Sequence, residues 1–233
     1  MKVLVCGANG FIGKAIATRL ACDGHQVVRG VRRPTHLGEM AIDYTTDLTA
    51  ERWLARLDGI DAVINAVGII IERGVQTFEH VHAQAPAALF TACRMRGVPR
   101  IIQISALGAE SRETPYFASK CAADDFLLAQ SMGAHVVRPA LVYGTDGASA
   151  RLFRTMASLP VHLLPAGGHQ VLRPVHIDDL AELVLRLLDP MANTAYPPCI
   201  EVVGNTQVTY RDMLNTYRSS MELAPAYHLG IPA

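Results

Sequence analysis

Val3, Leu4, Val5 and Cys6 run directly into Gly7-Ala8-Asn9-Gly10-Phe11-Ile12-Gly13, and an amphipathic stretch follows to residue 22. A short apolar strand, a turn rich in glycine and a helix in that order constrain the fold more than anything else in the chain. Glycine allows the tight turn and lets a ligand approach the backbone closely. The helix start then offers unpaired N–H groups and the positive end of its dipole. An anionic diphosphate satisfies both. Gly7, Asn9, Gly10, Phe11, Ile12 and Gly13 are therefore the candidate phosphate contacts. The spacing is G-x-x-G-x-x-G rather than the G-x-G-x-x-G of dehydrogenase folds, so its position between strand and helix carries the weight.

Apolar runs alternate with helical patterns along the rest of the chain. Strands are expected at 2–6, 26–30, 40–43, 62–66, 100–104 and 135–138, and helices at 12–22, 51–57, 77–96 and 115–132. That rhythm gives an α/β fold, a Rossmann doubly wound parallel sheet with ligands along the C-terminal strand edge. After residue 139, Pro and Gly recur. A helix is expected at 178–188, a strand at 199–203 and a helix at 210–221, with 224–233 loosely held. The expectation is a single domain, 1–233, in which about 140–175 and 190–233 form a small C-terminal lobe over the cofactor edge.

Half the residues are hydrophobic and 18% are charged, enough for a substantial core. Lys+Arg and Asp+Glu are both 21, so nothing global draws the chain to nucleic acid or anionic lipid. No apolar run approaches the roughly 18 residues of a membrane span, and Gly7 comes too early for a signal-peptide core. Five scattered cysteines without a Cys-x-x-Cys read as reduced thiols, Cys6 as an inert buried one. The expected location is cytoplasmic, and an apolar chain of zero net charge suits a homodimer.

The second strand leads into Arg29-Gly30-Val31-Arg32-Arg33, with no acidic residue before Glu39. An NAD-specific protein usually places Asp or Glu here for the ribose 2′-hydroxyl. Arginine instead suits a 2′-phosphate, so the reading is NADP(H) over NAD(H), with Arg32 as the main contact.

Tyr116 and Lys120 stand four apart on one face of an expected helix, and Ser105 follows the apolar strand at 100–104. An ammonium beside a phenol favours the phenolate, letting tyrosine exchange a proton with a carbonyl or alcohol near neutrality. Ser105 could hold the substrate oxygen. A surface Tyr–Lys pair is the plainer alternative. His80 and His82, two apart on a helix, face different ways and do not suggest a metal site. Asp178 reads as the N-cap of the helix after it. No G-x-S-x-G elbow surrounds Ser105, which leaves a hydrolase triad remote.

Taken in order, these motifs resemble the short-chain dehydrogenase/reductase superfamily, particularly its extended and atypical branches, over most of residues 1–190. Under that resemblance the glycine loop is the phosphate loop and Asp47-Leu48 the pair at adenine. Asn65-Ala66-Val67-Gly68 lines the cofactor, and Ser105, Tyr116 and Lys120 are the catalytic residues. Residues 138–144, with Pro139 and Val142, border the nicotinamide, and residues 173–181 resemble the extended branch's later loop–helix motif. The chain reads Val81-His82 where the extended pattern has asparagine, which leaves the full tetrad and its proton relay open. His82 facing the cofactor in its place is one alternative. That departure and the short lobe suit the atypical branch related to an accessory subunit of respiratory complex I.

The leading expectation is an NADP-dependent oxidoreductase on a carbonyl/alcohol pair, with Tyr116 as general acid/base, Lys120 lowering its pKa and holding the ribose, and Ser105 orienting substrate. The alternative is a non-catalytic NADP(H)-binding subunit or redox sensor acting through a protein partner. An NAD-linked sugar-nucleotide epimerase is disfavoured by Arg32 and the short lobe. The fold does not select among these.

Overall fold

The computed structural model describes residues 1–130, 133–145, 148–191 and 195–232. The apolar strands are β1 (Lys2–Cys6), β2 (Gln26–Val31), β3 (Glu39–Ala41), β4 (Ala62–Asn65), β5 (Arg100–Ile104) and β6 (Ala134–Pro139). With β11 (Cys199–Val202) they form a seven-stranded sheet of order β11–β6–β5–β4–β1–β2–β3, parallel throughout. Val3, Leu4, Val5 and Cys6 are wholly buried, as a strand covered on both faces requires. The order reverses between β1 and β4, whose last paired residues are Cys6 and Asn65. Ligands of doubly wound sheets bind at such a switch point.

Helices alternate with these strands. α1 (Phe11–Cys22) follows the glycine loop, and α2 (Glu51–Leu54) tightens into a 3₁₀ turn at Ala55–Leu57. The stretch expected to be one helix from 77 to 96 is instead a π turn, Glu79–Gln84, leading into α3 (Ala85–Arg96). Gly97, at φ +66°, stops α3 in the left-handed conformation that glycine adopts without strain. α4 (Pro115–Leu128) begins at Thr114, whose hydroxyl accepts from Phe117 N–H at 3.2 Å, with Pro115 pre-set at the first position. Residues 131–132 of the expected fourth helix fall outside the described residues. Leu89, Phe90 and Trp53 are fully buried beneath these helices.

Two compact units emerge. The first comprises Met1–Pro139 and Asp178–Val202, the second Ala140–Ile177 and the residues from Val203 on. β11, expected within the lobe, belongs to the first unit because its backbone pairs with β6, Cys199 opposite Val136. α6 (Ile177–Arg186) starts at Ile177, so Asp178 sits in its first turn, where a carboxylate favours the helix dipole, and not at the N-cap.

The second unit is built from small ribbons. β7 (Val142–Tyr143) pairs with β10 (Val175–His176), and β9 (Val171–Leu172) with β12 (Val208–Thr209). α5 (Ala148–Ser158) packs on α7 (Tyr210–Ser220). The expected loose ending instead contains β13 (Tyr227–Ile231), which runs parallel to β8 (Val161–Pro165). Arg218 ties this unit together by donating to the carbonyls of Ala157 and Leu159, both at 2.8 Å.

Candidate functional site

The glycine loop closes on itself and on the two neighbouring strands. Gly7 and Ala8 N–H both donate to the Gly30 carbonyl, at 3.0 and 3.3 Å, and Gly10 N–H donates to Gly7 O at 2.8 Å. Gly7 holds φ +80°, and a Cβ on Gly13 would lie 2.2 Å from Gly7 O. Neither position can carry a side chain. No side chain caps α1, which begins beside exposed Asn9 and Gly10. Phe11 and Ile12 are half-buried as the helix opens. Unpaired N–H groups at a helix start suit an anion.

At the end of β2, Arg32 and Arg33 are exposed. The residue that touches the loop is Arg29, whose guanidinium donates to Ala8 O at 2.8 Å and Asn9 Oδ1 at 3.4 Å. Asp47 is buried and spends its carboxylate inside the protein. It accepts from Arg56 at 2.6 and 3.2 Å and from Asp43 N–H at 2.7 Å. Leu48 is half-buried against the core.

Asn65, at the end of β4, fixes the next segment. Its Oδ1 accepts from Tyr44 at 2.8 Å and from Val67 N–H at 3.2 Å, while Nδ2 donates to Gln103 at 2.7 Å. Ala66 and Val67 run against Gly7, where an added Cβ would meet Ala66 O at 3.0 Å. Gly68 lies under Lys120, within 3.1 Å of Nζ if a Cβ were added.

Tyr116 and Lys120 share one face of α4. Lys120 is buried and donates to the Ile104 carbonyl at 3.3 Å. Burial pulls its pKa down to about 8 despite the nearby Asp124 charge. Tyr116 rests among rings, 5.8 Å from Phe78 and 5.4 Å from both His82 and Phe117. Burial raises its phenol, opposite to the lowering expected from Lys120. Among the described residues its hydroxyl has no hydrogen-bond partner.

Ser105 lies at the end of β5 but aims into the protein. Its Oγ donates to Asp124 Oδ2 at 2.8 Å, and Arg138 Nε donates to the same oxygen at 3.0 Å. Ser105 has thus committed its one proton and keeps only lone pairs to offer. Arg138 also reaches Glu110 at 3.0 Å, and burial raises the Asp124 carboxyl. Pro139 closes β6, its carbonyl accepting from Leu107 N–H at 2.9 Å, while Val142 is buried in the second unit.

The sequence reading passed over Arg29, Asp124, Ser119 and the Arg138 side chain. Asp124 carried one usable signal, standing four residues past Lys120 on the same helix face. The Cys6 thiol is pushed up to about 12 by burial, which keeps it protonated. Among the described residues no cluster of three His, Cys, Asp or Glu could hold a metal, and no helix is long and apolar enough to cross a membrane.

The family model described as the NAD dependent epimerase/dehydratase family matches residues 3–197. A ceramide reductase of Caulobacter vibrioides is 33% identical over 186 residues, 77% of this chain and 58% of that protein. Subunit 9 of the mitochondrial NADH dehydrogenase (ubiquinone) 1 alpha subcomplex of Mus musculus is 27% identical over 206 residues, 81% of this chain and 53% of that protein. The chain thus spans between half and three fifths of these two relatives. Among solved structures, the UDP-glucuronic acid 4-epimerase of Bacillus cereus, in complex with UDP-glucuronic acid and NAD, superposes with a TM-score of 0.80 at 18% identity. That match covers all of this chain and 87% of the other.

Proposed function

The chain belongs to the NAD dependent epimerase/dehydratase family, and from that premise we propose that it is an NADP(H)-dependent oxidoreductase acting on a carbonyl/alcohol pair. The observation that carries this reading is the uncapped start of α1 behind Gly7, Gly10 and Gly13, in the same unit as Tyr116 and Lys120. Gly7, Asn9, Gly10, Phe11, Ile12 and Gly13 would hold the pyrophosphate, Arg32 the 2′-phosphate, and the Asp47-Leu48 pair the adenine. Ala66, Val67, Gly68 and Pro139 would line the nicotinamide half. The bound cofactor supplies the hydride.

Tyr116 exchanges the proton at the substrate oxygen, and its unengaged hydroxyl suits that part. Lys120 holds the ribose, and its ammonium, released from Ile104 O, favours the phenolate. Ser105 acts as an acceptor for a substrate hydroxyl, since its proton is given to Asp124. Exposed Ile70, Ile71 and Val75, close in sequence to the Phe78 and His82 rings, favour an apolar substituent on the substrate. A ceramide reductase among the relatives agrees with that preference.

The test combines binding and turnover. NADPH oxidation with long-chain carbonyl compounds should vanish in Tyr116→Phe. Arg32→Ala should weaken NADP about 10- to 100-fold, the equivalent of about 1.5–3 kcal/mol for a charged hydrogen bond, and leave NAD unchanged. Equal loss of both dinucleotides removes the NADP assignment. A second reading, a non-catalytic NADP(H)-binding subunit, is favoured by the tied Ser105 proton and the raised Tyr116 phenol. Tight NADP(H) binding with no turnover across the carbonyl panel would select it.

A further inference from the structure

His82 lies on the π turn Glu79–Gln84 and is buried. π turns are rare and concentrate at functional sites. Both nitrogens of the ring are used. Nε2 accepts from Ile69 N–H at 3.0 Å, in the loop after β4. In a neutral ring this puts the proton on Nδ1, which sits 3.0 Å from Ser119 Oγ. Ser119 in turn donates to the Tyr116 carbonyl at 2.8 Å. The ring stacks on Phe78 at 5.4 Å and meets Tyr116 edge-on.

The donors and acceptors run in one direction, from Ile69 through His82 and Ser119 to Tyr116. They join segments 13 and 37 residues apart from His82. Gly68 stands between them, close to both Lys120 Nζ and His82 Nε2. We propose that His82 is a positioning residue that locks the loop at 67–69 to the first turn of α4, so that the segment assigned to line the nicotinamide and the tyrosine assigned to proton transfer keep a fixed separation.

Protonation would break the lock, because Nε2–H would face Ile69 N–H and a second cation would stand beside Lys120. Burial and the Lys120 charge hold the ring's pKa down to about 2, so the lock stays in place throughout any working range. The catalytic consequence rests on the function proposed above, whereas the lock itself does not.

Two variants separate the roles. His82→Phe keeps the ring packing and removes both hydrogen bonds. His82→Gln can place Oε1 near the position of Nε2 and restore the acceptor for Ile69. Amide hydrogen exchange at Ile69 should speed up at least about 10-fold in His82→Phe and return most of the way in His82→Gln. kcat should fall about 10- to 100-fold in His82→Phe, as expected for a misplaced proton donor, and recover in part in His82→Gln. A residue that only fills space would leave kcat unmoved in His82→Phe. Unchanged Ile69 exchange overturns the proposal, as does faster exchange with kcat intact. If no carbonyl compound is turned over even by the wild type, the functional reading fails on its own. Ile69 exchange then decides the lock, which requires it to speed up in His82→Phe and to return in His82→Gln.

Discussion

The glycine loop and the surroundings of Tyr116 lie in one unit and are made by different means. At the loop, shape comes from backbone alone. Gly30 O receives two N–H groups, and Gly13 has no room for a Cβ. Around Tyr116, shape comes from side chains that hold one another across long stretches of sequence: Ser105 with Asp124, Asp124 with Arg138, His82 with Ser119. The loop is already open to an anion, while several polar groups beside Tyr116 are engaged with each other. Under the proposed function, binding would need little rearrangement, and proton transfer would need Lys120 to turn from Ile104 O.

The largest contrast should appear at Asp124. Asp124→Ala leaves Arg138, 11% exposed at its side chain, without its buried partner. Breaking such a pair costs about 3–5 kcal/mol. Urea denaturation should show that loss, and a change below about 1 kcal/mol would mean that the ion pair is solvated. Gly13→Ala comes next. Its Cβ would overlap Gly7 O, so the loop must shift, at a cost of about 1–3 kcal/mol. Dinucleotide affinity should fall with it. Gly10→Ala, whose Cβ would sit 3.2 Å from the same oxygen, should cost far less. Equal losses at Gly10 and Gly13 would show that general strain, and not this one contact, governs the loop.

That contrast also explains what could be read from the sequence. The loop was legible because glycine is demanded by the backbone itself, at positions fixed relative to a strand and a helix. The strands β1 to β6 were legible as apolar runs such as Val3-Leu4-Val5, which need cover on both faces. Tyr116 and Lys120 could be placed on one face of α4 because they stand four residues apart on a helix. Their partners could not. Ser105 meets Asp124 across 19 residues and His82 meets Ser119 across 37, through side chains with no periodic signature. The π turn was equally hidden, since a helical apolar pattern does not mark one inserted residue. β13 was missed because Pro and Gly around it read as loop, yet its hydrogen bonds come from β8, 66 residues away by register.

Arg29 sharpens the difference between shape and recognition. Its guanidinium holds the loop carbonyl of Ala8, so it serves any dinucleotide. Arg29→Ala should weaken NAD and NADP alike, by about 10-fold for one lost charged hydrogen bond. Isothermal titration with both cofactors measures this. Loss confined to NADP would transfer the 2′-phosphate contact from Arg32 to Arg29.

The smallest effect is carried by pH and tests the buried side directly. Lys120 has its pKa lowered from 10.5 to about 8 by burial, so its charged form costs stability in the folded chain. Between those values the unfolded chain binds more protons than the folded one, and stability therefore rises with pH. Below about 8 both states are protonated and the cost is constant. Lys120→Met removes the titration while keeping the bulk. The variant should be the more stable of the two near neutrality, and its advantage should shrink by about 1 kcal/mol from pH 8 to 9. Urea denaturation of both proteins at each pH measures the gap. A gap that stays constant would mean that the ammonium is hydrated in the folded protein. It would then be free to meet Tyr116 without leaving Ile104 O, and the region around Tyr116 would be as open to its ligand as the glycine loop.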